Sequence, residues 1–338
     1  MAVVIAVLAV PLLVCLAFVV DSGLLYWEKT QLQNGADAAA LAVADECIST
    51  SGGCVGNAGA VATGIAGKNA NDTKSDGVIR TITANTRSGN VTVDAVSPAG
   101  NGVPHPFASL LDPQADSRLT ADATVKWGVP ESGTTIPLAV AQCELTRHFN
   151  PGTEEQGEPF ILLLIGPGNG DKKPDECAPG YPGGFGWLAG DDVDNDGDAD
   201  CQVLVEVGVP EDGVPGKSDT KAGGCPDDYI TKLIGTTVLI PIYDSYTPDS
   251  TGNQGSYNIS RFAAFFVTGY HVASAKCDPP GAKSGSDCYL SGASKSPGFK
   301  GGEFGLQGYF ERYVAIGDDF ELGEGGPDGG LVAVRVID

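Results

Sequence analysis

Residues 2–46 read AVVIAVLAVPLLVCLAFVVDSGLLYWEKTQLQNGADAAALAVADE, and Ala2 to Val20 carry no charge. As a helix rising about 1.5 Å per residue, this run nearly crosses a hydrocarbon core of about 30 Å, so a transmembrane helix is expected. Pro11 predicts a kink, which membrane helices tolerate when local adjustment or a neighbouring helix satisfies the freed carbonyl. A cleaved signal peptide is the competing reading. No Lys or Arg precedes the run, and Phe18-Val19-Val20 is too bulky for a small-residue cleavage site, so the anchor is expected to be retained. No proline interrupts Asp21 to Glu46, and Leu25, Leu32, Ala36, Ala39, Ala40 and Val43 recur at helical spacing. One long helix emerging from the membrane follows. The small residues of Gln33 to Ala42 let another surface approach closely, either the helix's own domain or a neighbouring anchored subunit.

The apolar helix, then Val20-Asp21-Ser22-Gly23 with Tyr26, then Leu32-Gln33-Asn34-Gly35-Ala36-Asp37-Ala38-Ala39-Ala40-Leu41-Ala42, resembles the amino-terminal signature of TadE/TadG-like components of bacterial Tad/Flp pilus machinery. Gly35 stands where that family usually has Ala. The resemblance covers about the first fifty residues. It implies an integral membrane protein that belongs to, or works with, a Tad/Flp secretion and pilus apparatus, with pilus-assembly proteins or pilin-like subunits as partners. A prepilin leader ending in Gly and an early Glu are both missing, and the first acidic residue is Asp21. The permanently anchored TadG-like type is therefore the one implied. Ile136 to Cys143 and Gly183 to Leu188 also resemble phrases of actinobacterial Tad-like proteins, and neither carries recognisable catalytic chemistry.

Composition narrows the setting. The chain has 338 residues, 48 Gly, 22 Pro and a net charge of −23, which repels phosphate backbones and argues against nucleic acid as a partner. Cys47, Cys54, Cys143, Cys177, Cys201, Cys225, Cys277 and Cys288 follow the anchor, and Cys15 lies inside it. An even set without any C-x-x-C spacing fits disulfides in an oxidising compartment better than a zinc site, so the carboxy-terminal bulk is expected outside the cytoplasm of a single-pass cell-membrane protein. Cys47 with Cys54 and Cys277 with Cys288 suit short local loops.

The expected fold is α+β: a transmembrane anchor over 1–20, a long helix plus a small α+β domain over 21–130, and a β-rich, disulfide-bonded extracytoplasmic domain over 131–338. Val78 to Thr83, Asn90 to Val96 and Leu119 to Trp127 alternate like three strands, with a short helix expected at Pro106 to Leu111. Pro130 to Thr135 reads as punctuation between domains. Further strands are expected at Phe160 to Ile165, Gln202 to Val207, Thr237 to Ile242, Arg261 to Val267, Tyr309 to Ile316 and Leu331 to Ile337.

One segment has coordination logic. Asp192, Asp194 and Asp196 match positions one, three and five of a calcium loop, Gly197 matches six, Asp198 seven and Asp200 nine. Val203 stands where an EF-hand has its bidentate Glu, so a repeat-module or dockerin type of calcium loop is the expectation, against a solvated acidic turn. His105, His148 and His271 are scattered, and neither H-E-x-x-H nor G-x-S-x-G occurs. The residues therefore point to a non-enzymatic, membrane-anchored component of pilus assembly. The alternative is an independent, calcium-stabilised surface adhesin or binding module.

Overall fold

The computed structural model describes residues 2–71, 73–85, 87–97, 103–104, 106–107, 116–148, 159–165, 185–192, 200–214, 225, 229–248, 255–271, 287–296, 298–299, 304–311, 313–317, 319–324 and 331–337. A long apolar amino-terminal helix, short helices and β-rich sheets with disulfides make up an α+β chain. It divides into two compact units, Met1–Gly128 with Val334–Asp338, and Val129–Ala333.

In the first unit, α1 (Ala2–Ser49) runs 48 residues, about 72 Å at 1.5 Å per residue, and its helical assignment continues through Pro11. It ends on left-handed Ser51 and Gly52, with Gly52 N–H donating to the Cys47 carbonyl at 2.8 Å and Ser51 N–H to that of Ile48 at 3.2 Å. These two bonds form a Schellman cap. The Cys47–Cys54 disulfide fastens the same end to the start of α2 (Ala58–Asn69).

The strands β1 (Asp76–Ala84), β2 (Gly89–Val96) and β5 (Thr120–Thr135) pair antiparallel in that order, and a two-residue ladder of β3 (Val103–Pro104) with β4 (Asp116–Ser117) interrupts the connection from β2 to β5. Alternation buries Val91, Val93 and Ala95 of β2 and Ala121, Ala123, Val125 and Trp127 of β5. Helix α1 packs on β2 and α2 on β1, giving a two-layer unit. Lys29 Nζ donates to the Thr120 carbonyl at 2.5 Å and Gln33 Nε2 to that of Asp122 at 3.0 Å. Four helical residues and two strand residues each advance about 6 Å, so α1 and β5 run in step in the same direction.

Small residues decide the helix contacts. Ala36, Ala39 and Ala40 of α1 are fully buried, as are Ala62 and Ala66 of α2, and the two helices pack together. The stretch that could have met a neighbouring subunit is thus used largely within its own unit. On the sheet's polar face Asp94 lies directly opposite Asp122. Like charges so placed repel, and Arg80 answers both, at 2.7 Å and 3.3 Å. Arg80 lies two residues beyond Val78, the partner of Asp94, and so on the same face, and a register irregularity in β1 falls at it, between Ile79 and Thr81.

The second unit is built on a sheet ordered β7 (Phe160–Ile165), β14 (Phe304–Glu311), β12 (Gly255–His271), β11 (Thr237–Pro248), β6 (Leu138–Ala141) and β8 (Phe185–Trp187), with β10 (Pro210–Gly213) and β13 (Cys288–Tyr289) also on β12. Strands β11 and β12 are buried on both faces. Ile240, Ile242, Phe265 and Val267 join one core, closed by Leu145 of α3 (Gln142–His148) and Ile230 and Leu233 of α4 (Tyr229–Leu233). Leu239, Tyr243, Phe262 and Ala264 join the other, with Val203 and Val205 of β9 (Val203–Glu206). The remaining strands are β15 (Tyr313–Ala315), β16 (Phe320–Gly323) and β17 (Val332–Ile337).

One sequence expectation needs correction, and another lies largely outside the described residues. Pro130 to Thr135 is strand, the second half of β5, paired with β16 and β9. Its proline sits beside a bulge at Glu131, where the missing N–H is tolerated, and Gly133 leaves room for the Phe320 ring, which a Cβ would overlap. Of the helix expected at Pro106 to Leu111, Pro106 and Phe107 form a turn and the rest lies outside the described residues.

The glycines of the first unit separate two kinds of tolerance. A Cβ at Gly35 would meet Ala66 at an ordinary 3.5 Å, whereas at Gly77 it would overlap the Ala62 backbone carbonyl. Gly35→Ala is expected to stabilise by up to about 1 kcal/mol through helix propensity, and Gly77→Ala to destabilise by about 1–3 kcal/mol through overpacking. Thermal unfolding of the solubilised full chain, comparing the melting temperature of each variant with wild type, checks both.

Candidate functional site

Burial along α1 changes at one residue. Among the described side chains from Pro11 to Val20 only Ala17 is even partly covered, and Asp21 is then 8% exposed. From there Leu25, Glu28, Leu32, Ala36, Ala39, Val43 and Cys47, spaced by three or four, form the covered face. From Pro11 to Val20 the helix therefore presents its apolar side chains nearly all round, as a lipid-facing helix does. Helix α1 is long and apolar enough to cross a membrane. Tyr26 and Trp27, 77% and 60% exposed, stand just above the change, where amphipathic aromatic rings mark membrane interfaces.

Residues 1–46 match the Flp pilus-assembly TadE/G-like family, Tad. Comparison with curated proteins and with solved structures finds no match. The Tad match thus covers the bare lower helix, the change at Asp21 and nearly all of the covered upper helix. Asp21, within the Val20-Asp21-Ser22-Gly23 signature, accepts a hydrogen bond from the Phe107 N–H at 3.3 Å.

Beyond the Tad segment, the acidic run lies only in part within the described residues. Asp192 and Asp200 are described, whereas Asp194, Asp196 and Asp198 are not. The base of the loop is closed by backbone bonds from Asp200 N–H to the Asp191 carbonyl at 2.7 Å and from Asp191 N–H to that of Gln202 at 2.8 Å. The Asp191 carboxylate accepts the Leu204 N–H at 2.7 Å, and the Cys201–Cys225 disulfide lies at the loop's exit. No group of three His, Cys, Asp or Glu side chains placed to hold a metal occurs among the described residues.

Beside this loop opens a cleft of about 720 Å³, bordered by Asp191, Asp319, Tyr229 and Phe320. Thr135 at its edge donates its hydroxyl to the Leu239 carbonyl, Cys201 is disulfide-bonded, and no His lines the cleft among the described residues. No His or free Cys stands there among the described residues.

Sequence spacing missed a His–Asp pair. His271 Nδ1 lies 2.5 Å from Asp287 Oδ1, and the imidazole stands near the Phe299 ring. The pair joins the end of β12 to the residue before β13, sixteen positions apart, so no local motif announces it. Cys47 pairs with Cys54 as the spacing predicts, and Cys143 and Cys288 are also disulfide-bonded. Cys277 lies outside the described residues, as does Cys177, and Cys15 is a free, exposed thiol in α1.

The electrostatics are sharpest at Glu211 on β10. Burial, reinforced by the Asp191 and Asp212 carboxylates, pushes its pKa up to about 7. The folded chain then holds this proton more tightly than the unfolded one, so this group favours folding less as pH rises from 4.5 to about 7. Because the side chain is part-exposed, the loss is expected to be about 1–2 kcal/mol. Glu211→Gln should stabilise the protein above pH 7 and leave it unchanged below pH 4.5, measured by denaturant unfolding across that range.

Proposed function

We propose that this chain is a non-enzymatic, single-pass membrane-anchored component of a Tad/Flp-type pilus assembly or secretion apparatus, with its β-rich bulk outside the cytoplasm. The observation that carries this reading is the coincidence of the Tad match with the helix whose described lower part is bare of protein contacts. Disulfides at Cys47–Cys54 and Cys201–Cys225 support an oxidising compartment. Pilus-assembly proteins or pilin-like subunits would be its partners. Deleting the gene should abolish Flp pili in electron micrographs, and the full-length chain should restore them. Intact pili in the deletion strain, with surface attachment lost, would replace this reading with the independent adhesin.

We further propose that Asp192, Asp194, Asp196, Asp198 and Asp200 form a calcium loop that stabilises the second unit. The support is the alternation of carboxylates around Gly197 and the closed base that brings the ends of the run together. Extracellular modules bind calcium at roughly 10⁻⁴ to 10⁻³ M, so millimolar calcium should add about 1–2 kcal/mol to folding. Thermal unfolding with and without calcium, repeated with Asp194→Ala, tests this. An unchanged wild-type melting temperature would leave the run a solvated turn.

A further inference from the structure

We propose that Phe107 is a second membrane contact, seated on the bilayer surface by Asp21. The proposal rests on α1 being the membrane anchor and adds a lipid-facing surface on the folded unit itself.

The argument is one of height along α1. The ladder of β2 with β5 ends at Val96 opposite Thr120, and Ser97 N–H donates to the Leu119 carbonyl just beyond it. Lys29 holds Thr120, which places this end of the sheet eight helical residues, about 12 Å, above Asp21. Phe107, which falls between Ser97 and Leu119 in sequence, lies instead at the level of Asp21, whose Oδ1 accepts the Phe107 N–H at 3.3 Å. Asp21 follows directly on the apolar run and is the first charged residue after it, so the hydrocarbon core ends at its level. Phe107 is thus held at the hydrocarbon boundary, beside the helix and 40% exposed. Tyr26 and Trp27 stand about one and a half turns higher, roughly 8 Å, and their Cα–Cβ bonds tilt back toward the helix amino terminus, so their rings reach toward the same level. Three exposed aromatic side chains on two separate segments then meet the interfacial layer, where such rings are favoured. The occupant is lipid because the surface is continuous with the segment that enters it.

Asp21 acquires a defined task. A carboxylate bordering hydrocarbon is costly unless hydrogen-bonded, and the Phe107 amide is one donor to it, which holds Phe107 at that level. Asp21 is therefore a positioning residue and Phe107 the contact.

The test uses the full-length chain in phosphatidylcholine nanodiscs, with Cys15→Ser to remove the free thiol and single bimane labels at Phe107→Cys, Phe18→Cys or Thr83→Cys. Doxyl lipids labelled near the headgroup should quench the label at 107 more than mid-chain doxyl lipids do. The label at 18, inside the anchor, should be quenched strongly, and that at 83, at the far end of the sheet, not at all. A quenched label at 18 with an unquenched one at 107 overturns this proposal and leaves the anchor standing. Failure at both overturns the anchor. A label at 107 that is unquenched by lipid, but becomes shielded from aqueous iodide when a second copy associates, would assign the surface to protein and also overturn it. In unlabelled protein, Asp21→Ala should speed hydrogen exchange of the Phe107 amide by about tenfold, the worth of one hydrogen bond to a carboxylate, with a smaller effect for Asp21→Asn. Unchanged exchange would remove Asp21 from the arrangement.

Discussion

The close approach of α1 to α2 across alanine side chains is the contact on which the first unit depends. Ala36, Ala39, Ala40, Ala62 and Ala66 have almost no side-chain volume to lose, so the contact gains through proximity and through the many weak dispersion contacts that proximity allows. It also lets two helices share one face of the sheet, α1 over β2 and α2 over β1. The same α1 continues below Asp21, where the described side chains from Pro11 to Val20 face outward, Ala17 alone being partly covered. One unbroken helix serves both stretches because its backbone bonds are internal to it, whatever the medium outside.

Legibility in the sequence followed the range over which each decision is taken. The long apolar helix, β1, β2 and β7 rest on local patterns of charge, alternation or branching, and each is readable from its own residues. The Cys47–Cys54 loop is equally local. Pro130 to Thr135 misled because its proline sits beside a bulge and its glycine faces a ring nearly two hundred residues away, and composition within the segment reports neither fact. The destination of Gln33 to Ala42 was ambiguous for the same reason, since its partner Ala66 lies in another element. His271 and Asp287 meet only because β12 ends where β13 begins. At the acidic run, the carboxylate spacing was visible, whereas the clamp through Asp191 and Gln202 depends on the chain returning to itself.

Charge is distributed with a consistent logic. A chain at −23 cannot avoid placing carboxylates near one another, and the two units answer differently. On the polar face of the first sheet a single exposed Arg80 stands between Asp94 and Asp122, and the neighbouring carboxylates raise its already high pKa further. In the second unit Glu211 is partly buried beside further acids, and its own proton supplies the relief. The first arrangement changes little with acidity over the physiological range, while the second is tuned within it.

Two glycines are hemmed in by an aromatic ring alone: Gly133 by Phe320 and Gly186 by Tyr257. At each, even a methyl group would collide with the ring, so the glycine is specified by what lies opposite. Neither member of such a pair can drift alone. A larger residue at the glycine requires the ring to shrink, and loss of the ring leaves a void that only a side chain on the glycine could fill. Among diverged versions of this chain the two columns should therefore change together, so that a glycine and a distant aromatic residue would disclose a strand pairing before any coordinates were known.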